Sequence, residues 1–288
     1  MNQAARSRWM LLATAFLFST GGAAIKACGL STWQVASFRS AVSAVALLIL
    51  LPDTRRGWTW RALPVAAAYA ATLVLFVLAT RNTTAANAIF LQASGPMYLI
   101  LAGPLFLKEP IRRSEILLLL CLGAGMWLFF LDPVKISSMA PNPEFGNFCG
   151  ALSGATWAGT VLGLRWISRT NPDSLAPAVL GNILAFLIAL PMALPVESFQ
   201  FKDGAVLLYL GVFQVGLSYA LMTRAIRHVA ALESSLILLA EPALNPMWAW
   251  LLQNEVPSGT ALAGGALILG GTVTQAALRS RKINHKIN

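Results

Sequence analysis

The sequence predicts an all-α integral membrane protein: ten transmembrane helices, arranged as two inverted five-helix repeats around a central cavity, with both termini cytoplasmic. Three observations lead there. Hydrophobic residues make up 57% of the chain and charged residues only 11%, too little polar surface to coat a soluble globule of 288 residues. Apolar windows bounded by charge, proline or glycine recur ten times, near residues 9–27, 33–51, 61–80, 86–107, 114–131, 146–167, 174–193, 204–224, 231–252 and 258–278. Finally, residues 231–255 answer residues 85–109 at a constant offset of 146, so that Pro96 falls on Pro242, Glu109 on Glu255, Arg81 on Arg227 and Gly125 on Gly271.

An even number of spans puts both termini on one side. If that side is cytoplasmic, most of the 21 basic residues lie inside, among them Arg8, Arg55, Arg61, Arg113, Arg224 and Arg281. Lys26, Arg81, Lys135 and Lys202 lie outside, and this asymmetry sets the orientation. Arg39, within the second span, is expected to snorkel to the interface or, as the alternative, to pair with a carboxylate. The first helix starts near Trp9 and, with no convincing cleavage site after it, is expected to be retained. A duplication after an odd number of spans inserts the second copy upside down. In agreement, residues 18–26 (FSTGGAAIK) match residues 157–165 (WAGTVLGLR), pairing Phe18 with Trp157 and Lys26 with Arg165. The expected units are a first repeat over 1–131, a periplasmic linker over 132–145, a second repeat over 146–278 and a basic cytoplasmic tail over 279–288. Gly146, Gly150, Gly154 and Ala158 place a small residue every four in the sixth span, which lets a neighbour approach closely. Ala266, Gly270 and Thr274 repeat the device in the tenth, beside Gly264, Gly265 and Gly271, with the partner either in the same protomer or in a second one.

The fourth and ninth spans carry interior prolines, Pro96 and Pro104 in one, Pro242 and Pro246 in the other. Each removes a bond to the carbonyl four residues back, freeing Gln92 and Leu238 among others. In lipid such a carbonyl must be satisfied by neighbouring helices, side chains or a water-filled cavity. Broken helices in matched positions mark binding sites and gates in transporters, and a packing kink is the competing reading.

Helical spacing sorts the polar and aromatic residues onto faces. Ser234, Glu241, Asn245 and Trp248 share one in the ninth span, Asn87, Ser94 and Tyr98 in the fourth, and Tyr69, Thr72 and Phe76 in the third. Phe18 with Gly21, Ser153 with Trp157, and Gln214 with Ser218 do so in the first, sixth and eighth. These faces either line one mixed aromatic and hydroxyl-bearing cavity or supply interhelical hydrogen bonds and core packing. Glu241 is the sharpest candidate: a carboxyl deep in an apolar span, serving as a proton or ammonium partner or as a structural acid bonded to backbone freed by Pro242 or Pro246. Glu109, Glu233 and Glu255 read as end-of-helix groups, and His228 as an interfacial residue.

Other classes fit poorly. Histidine occurs only at His228 and His285, and no GxSxG, HExxH or phosphate-loop motif is present, which argues against an enzyme, a metal site or a cofactor. Cys28, Cys121 and Cys149 form no CxxC pair. The net charge of +10 is spread between apolar runs rather than gathered in a patch for nucleic acid. A channel stays open, although no ring of like charge appears.

LATRNTTAANAIFLQASGPMYLILAGPLFLKE and RAIRHVAALESSLILLAEPALNPMWAWLLQNE both resemble the signature block of the drug/metabolite transporter superfamily, EamA family. That block has a basic residue before the helix, a central proline, often as Glu-Pro in the second copy, and a closing glutamate; Gly95 stands where the second copy has Glu241. The resemblance implies a bacterial inner-membrane exporter whose cavity is built by the first, third and fourth helices of each repeat. Within the family the chain is most similar to the YddG-type aromatic amino acid exporters. This implies alternating-access efflux of aromatic and other neutral amino acids or related metabolites, without a cofactor and with the lipid bilayer as surroundings. Multidrug or other metabolite exporters and a channel-like facilitator are the alternatives. Tyr69, Tyr98, Trp157 and Trp248 would enclose an apolar side chain, and Gln92, Asn245 and Glu241 would meet polar groups. Proton coupling and oligomeric state stay open.

Overall fold

The structure, a computed structural model, describes residues 3–55, 58–106, 113–131, 135–168, 176–225, 228–229 and 231–287. Among them the regular structure is helical, without a strand, and forms ten rods. These are α1 (Gln3–Ser19 continuing as Gly21–Ala27), α2 (Thr32–Leu50), α3 (Ala62–Asn82), α4 (Ala85–Gln92 and Gly95–Phe106) and α5 (Arg113–Leu131). The second half holds α6 (Pro143–Ser168), α7 (Ala176–Ala193), α8 (201–225), α9 (Ala231–Leu238 and Ala240–Gln253) and α10 (Gly259–Ile287). Six helices, within α1, α2, α3, α4, α7 and α8, are long and apolar enough to cross a membrane, and a shorter apolar helix covers Glu115–Leu131.

Local chemistry sets the ends. A capping box, with Ser31 and Gln34 each bonding the other's backbone N–H, starts α2. The Thr84 side chain accepts from Asn87 N to start α4, and Asn142 Oδ1 accepts from Phe145 N at 3.3 Å to start α6. Pro143 enters the first turn of α6, where its missing N–H costs nothing, so the helix takes the last three residues of the expected linker. The N-terminal helix likewise begins earlier than expected, at Gln3 rather than near Trp9. Asn254 ends α9 in the left-handed conformation at φ 55°.

The expected helix breaks are interruptions rather than bends. The first half of α4 closes on Ala93 and that of α9 stops at Leu239, positions separated by the repeat offset of 146. Pro96 and Pro242 fall in the first turn of the restarted halves, where four N–H groups lack intrahelical partners in any case. Pro104 and Pro246 lie inside those halves. Elsewhere the repeats diverge: α1 is interrupted at Thr20 whereas α6 is continuous, and α8 contains a π-helical stretch, Tyr209–Leu217, that α3 lacks.

Packing follows the small residues. Helix α6 lies along α3 and α4, α2 along α7 and α8, α5 along α10, and α1 against α8 and α9. A Cβ at Gly146 would come within 2.6 Å of the Thr83 backbone, one at Gly150 within 3.1 Å of Leu91, and one at Gly154 within 3.0 Å of the Leu91 and Gln92 carbonyls. The glycine row of α6 thus presses on α4 and covers the carbonyl that Pro96 leaves free. In α10, Gly264 packs against Gly125 and Phe129, and Gly271 against Leu118 and Cys121, so this side closes within the protomer onto α5. Ala266, Gly270 and Thr274 are exposed on another face. Exposed apolar residues such as Leu120, Trp127, Ile188 and Leu251 suit lipid, and Ile25, Val35, Val77, Ile89 and Leu122 fill the core.

Gly154→Val should lower the thermal unfolding midpoint of purified protein by the equivalent of about 1–3 kcal/mol, because the added atoms meet fixed backbone carbonyls. Gly270→Ala, with nothing within 4 Å of its new methyl, should leave it unchanged. Equal midpoints for the two variants would refute the close α4–α6 approach.

Candidate functional site

Four aromatic rings from four helices meet in series inside the bundle. Phe18 of α1 stands edge-on to Tyr219 of α8 at 6.1 Å, Tyr219 tilts on Tyr69 of α3 at 5.7 Å, and Tyr69 on Trp157 of α6 at 6.4 Å. Tyr69 is buried, and the other three are half-buried. Glu241, in the first turn of the restarted half of α9, lies within electrostatic reach of Tyr219. No ion pair or hydrogen bond joins its carboxylate to the described residues, so the backbone freed by Pro242 and Pro246 is not its partner there. Its repeat counterpart, Gly95, faces Trp157: a Cβ at Gly95 would come 3.3 Å from the indole, so the ring occupies the room a side chain would need.

Polar links hold the walls. Gln92 donates to Ser153 Oγ at 2.7 Å, Ser153 to the Thr72 carbonyl at 3.3 Å, and Thr72 to Thr156 Oγ1 at 2.9 Å, tying α4, α6 and α3 together. Ser94 donates to the Leu91 carbonyl and interacts with half-buried Tyr98, which settles the α4 interruption locally. At the α1 interruption Gln214 and Asn245 press on glycine: a Cβ at Gly21 would meet Gln214 Nε2 at 2.7 Å, and one at Gly22 would meet Asn245 Oδ1 at 2.6 Å. Gln214 Oε1 and both polar atoms of Asn245 are buried without a partner among the described residues, at a cost of about 1–3 kcal/mol each until one is supplied. Trp248 donates to Ser19 Oγ at 2.8 Å and packs edge-on against Phe16.

Three expected members stand in helix packing. Phe76 belongs to the core with Val77, Ile89 and Phe90. Asn87 donates to Asn147 Oδ1 at 3.0 Å, which also accepts from Thr83 at 2.8 Å. Ser218 donates to the Phe213 carbonyl, and its own carbonyl accepts from Thr14. Tyr219 was not among the expected residues; its place directly after Ser218 on the polar face of α8 is the sequence signal that could have found it.

One end of the bundle is tied shut. Lys26 Nζ bonds Glu255 Oε2 at 2.7 Å, the Met139 carbonyl at 2.7 Å and the Thr83 carbonyl at 2.9 Å, and Glu255 Oε1 accepts from Ala85 N, the first residue of α4. The two side chains are 2% and 7% exposed, so Lys26 is a buried cation and Glu255, at the end of α9 as expected, is its buried partner and the cap of α4. Each has a reason to leave water: the counter-charge and the carbonyls replace its hydration shell. Beside them Arg81 donates to the Cys28 and Leu30 carbonyls, Asp203 accepts from Gly29 N, and Gln253 donates to the Ala23 carbonyl. At the other end Glu233 pairs with Arg8 at 2.6 Å, with the two side chains 40% and 52% exposed, and exposed His228 meets Gln3. Glu109 and Arg227 lie outside the described residues. Arg39 does not snorkel: it is 2% exposed and donates to the Leu73 carbonyl at 3.2 Å.

A bundle of apolar spans, interrupted at repeat-related positions beside an aromatic series and a half-buried carboxyl, defines a multi-pass membrane transporter rather than an enzyme. The chain belongs to the EamA-like transporter family, whose pattern it matches twice, over residues 7–131 and 144–275. It is 27% identical to the pseudopaline exporter CntI of Pseudomonas aeruginosa over 88% of this chain and 90% of that one. It is 28% identical to the uncharacterized transporter YwfM of Bacillus subtilis, over 94% of each. A protein of known crystal structure, 17% identical, shares the fold at a TM-score of 0.63 over 96% of this chain and 98% of that one.

Removing one partner of the buried pair should open the tied end. In a background with Cys121→Ser and Cys149→Ser, Glu255→Gln or Lys26→Met should raise maleimide labelling of buried Cys28 about tenfold or more, since breaking such a pair costs about 3–5 kcal/mol. Labelling as slow as in the parent would show that the pair does not hold this end closed.

Proposed function

We propose that this protein exports aromatic and other neutral amino acids, or closely related small metabolites, from the bacterial cytoplasm across the inner membrane. In this reading all ten rods cross the bilayer, the termini are cytoplasmic, and the two five-helix repeats are inverted about a central cavity. The carrying observation is the series Phe18, Tyr219, Tyr69 and Trp157, with the Glu241 carboxyl, which has no ion pair or hydrogen bond among the described residues, beside it. Half-buried rings accept an apolar or aromatic side chain. Gln92, Tyr98, Asn245 and Gln214 add hydrogen-bonding capacity, and Glu241 receives an ammonium group or a proton.

Transport runs by alternating access. In the inside-positive orientation the Lys26–Glu255 end faces the periplasm, so this conformation is closed outward. The interruptions of α4 and α9 at Pro96 and Pro242, with Pro104 and Pro246 beyond them, act as hinges that free backbone near the site. Similarity to the pseudopaline exporter favours a second reading, in which the cargo is a different small metabolite.

Proteoliposomes containing the purified protein should take up labelled phenylalanine and leucine above empty vesicles, with cationic dyes as controls. Glu241→Gln should cut this flux about tenfold or more, the scale of one hydrogen bond to a charged group at about 1.5–3 kcal/mol. Flux of the control compounds alone would overturn the amino-acid reading in favour of another cargo, and an unaffected Glu241→Gln variant would remove Glu241 from the site. Comparing flux with and without an imposed pH gradient, in wild type and Glu241→Gln, tests that residue as the proton carrier.

A further inference from the structure

Arg39 occupies the middle of α2, and it is among the largest fully buried side chains of the protein. Its guanidinium has five N–H donors. Nη2 donates to the Leu73 carbonyl, and Nε is buried with no partner among the described residues. The two ion pairs of the described residues, Arg8–Glu233 and Lys26–Glu255, leave it without a counter-charge. A buried cation in this state is among the costliest groups that a membrane protein can hold, and such residues face ligands or ion paths.

Its position decides what it faces. Leu73 lies one helical turn from Tyr69 on α3, and Arg39 is within electrostatic reach of Tyr69. Gly181 of α7 packs on the Tyr69 ring, and Asn182 beside it reaches the same tyrosine. Tyr69 in turn interacts with Tyr219, and Tyr219 with Glu241. The groups therefore run in order from a permanent cation behind Tyr69, through two tyrosine hydroxyls, to a carboxyl.

We propose that Arg39, acting through Tyr69, makes the α3 side of this site select a carboxylate, so that the cargo carries one. The reading rests on the transport site proposed above and names the group recognised at one end of it. Arg39 is a positioning residue: the cation behind the ring strengthens the Tyr69 O–H as a donor and supplies the positive potential that a carboxylate needs in a low-dielectric interior. Glu241, at the opposite end, receives the ammonium of a zwitterion. A neutral amide of the same shape gains nothing from Arg39.

The probe pairs are benzoate with benzamide and phenylalanine with phenylalaninamide, titrated into the purified full-length protein and followed by tryptophan fluorescence. Wild type should bind each acid about tenfold or more tightly than its amide, the scale of one charge-assisted contact. Arg39→Gln should level acid and amide while keeping the amide affinity, Arg39→Lys should keep most of the preference, and Tyr69→Phe should reduce it. Absence of acid preference in wild type, or its persistence in Arg39→Gln, would overturn the proposal. If Arg39→Gln does not fold, the wild-type acid-to-amide ratio and Tyr69→Phe still decide. Benzoate selectivity without phenylalanine transport would sink the amino-acid reading and leave Arg39 as a carboxylate selector. Phenylalanine transport without acid preference would do the reverse.

Discussion

The constraint on which the rest of this structure depends is the absence of water from a bilayer interior. Every backbone N–H and carbonyl there must find a partner within the protein. That demand turns the apolar chain into helical rods, and it also decides where a rod can stop. Helix α4 is interrupted beside Gly154, whose bare backbone covers the Leu91 and Gln92 carbonyls, and Ser94 returns its hydroxyl to Leu91. An interruption facing lipid would have no such neighbours. The broken helices are therefore confined to the interior, which is where a transporter uses them.

The same scarcity of water sorts the polar side chains into two populations. Around Lys26, donors and acceptors are matched: one ammonium meets a carboxylate and two carbonyls, and the second carboxylate oxygen caps α4. Among the described residues, Arg39 Nε, Asn182 Oδ1, Gln214 Oε1 and the Asn245 amide farther inside are buried and unmatched, as are Arg81 Nε and Gln253 Oε1 beside Lys26. Satisfied groups rigidify a closure, whereas unsatisfied ones store affinity for whatever completes them.

The repeats are similar in frame and different in content. Both copies interrupt their fourth helix at the same repeat position, yet Gly95 against Trp157 in one becomes Glu241 in the other. Only one repeat carries the carboxyl, and only the other carries Arg39 in its second helix. The proposed site between these halves is polarised, with a cation on the α2–α3 side and an acid on α9. A polarised site suits a cargo with two unlike ends.

The all-helical membrane class, the internal repeat and the neighbourhood of both interruptions were legible in the sequence, because apolar length, charge boundaries and proline act locally. Spacing also singled out Phe18, Tyr69, Trp157 and Glu241, which the fold gathers around Tyr219, since a helical face follows from residue number alone. It did not foresee the pairing of Lys26 with Glu255 or the burial of Arg39, and it put Phe76, Asn87 and Ser218 on the cavity faces, where the structure gives them packing contacts. Spacing ranks residues around one helix but is silent on which neighbour that face meets. Only the tertiary structure brings Lys26 to Glu255 and Tyr69 to Tyr219, across 229 and 150 residues of chain. Burying a charge is tolerable only when a distant segment arrives to pair it, and no local pattern records that arrival.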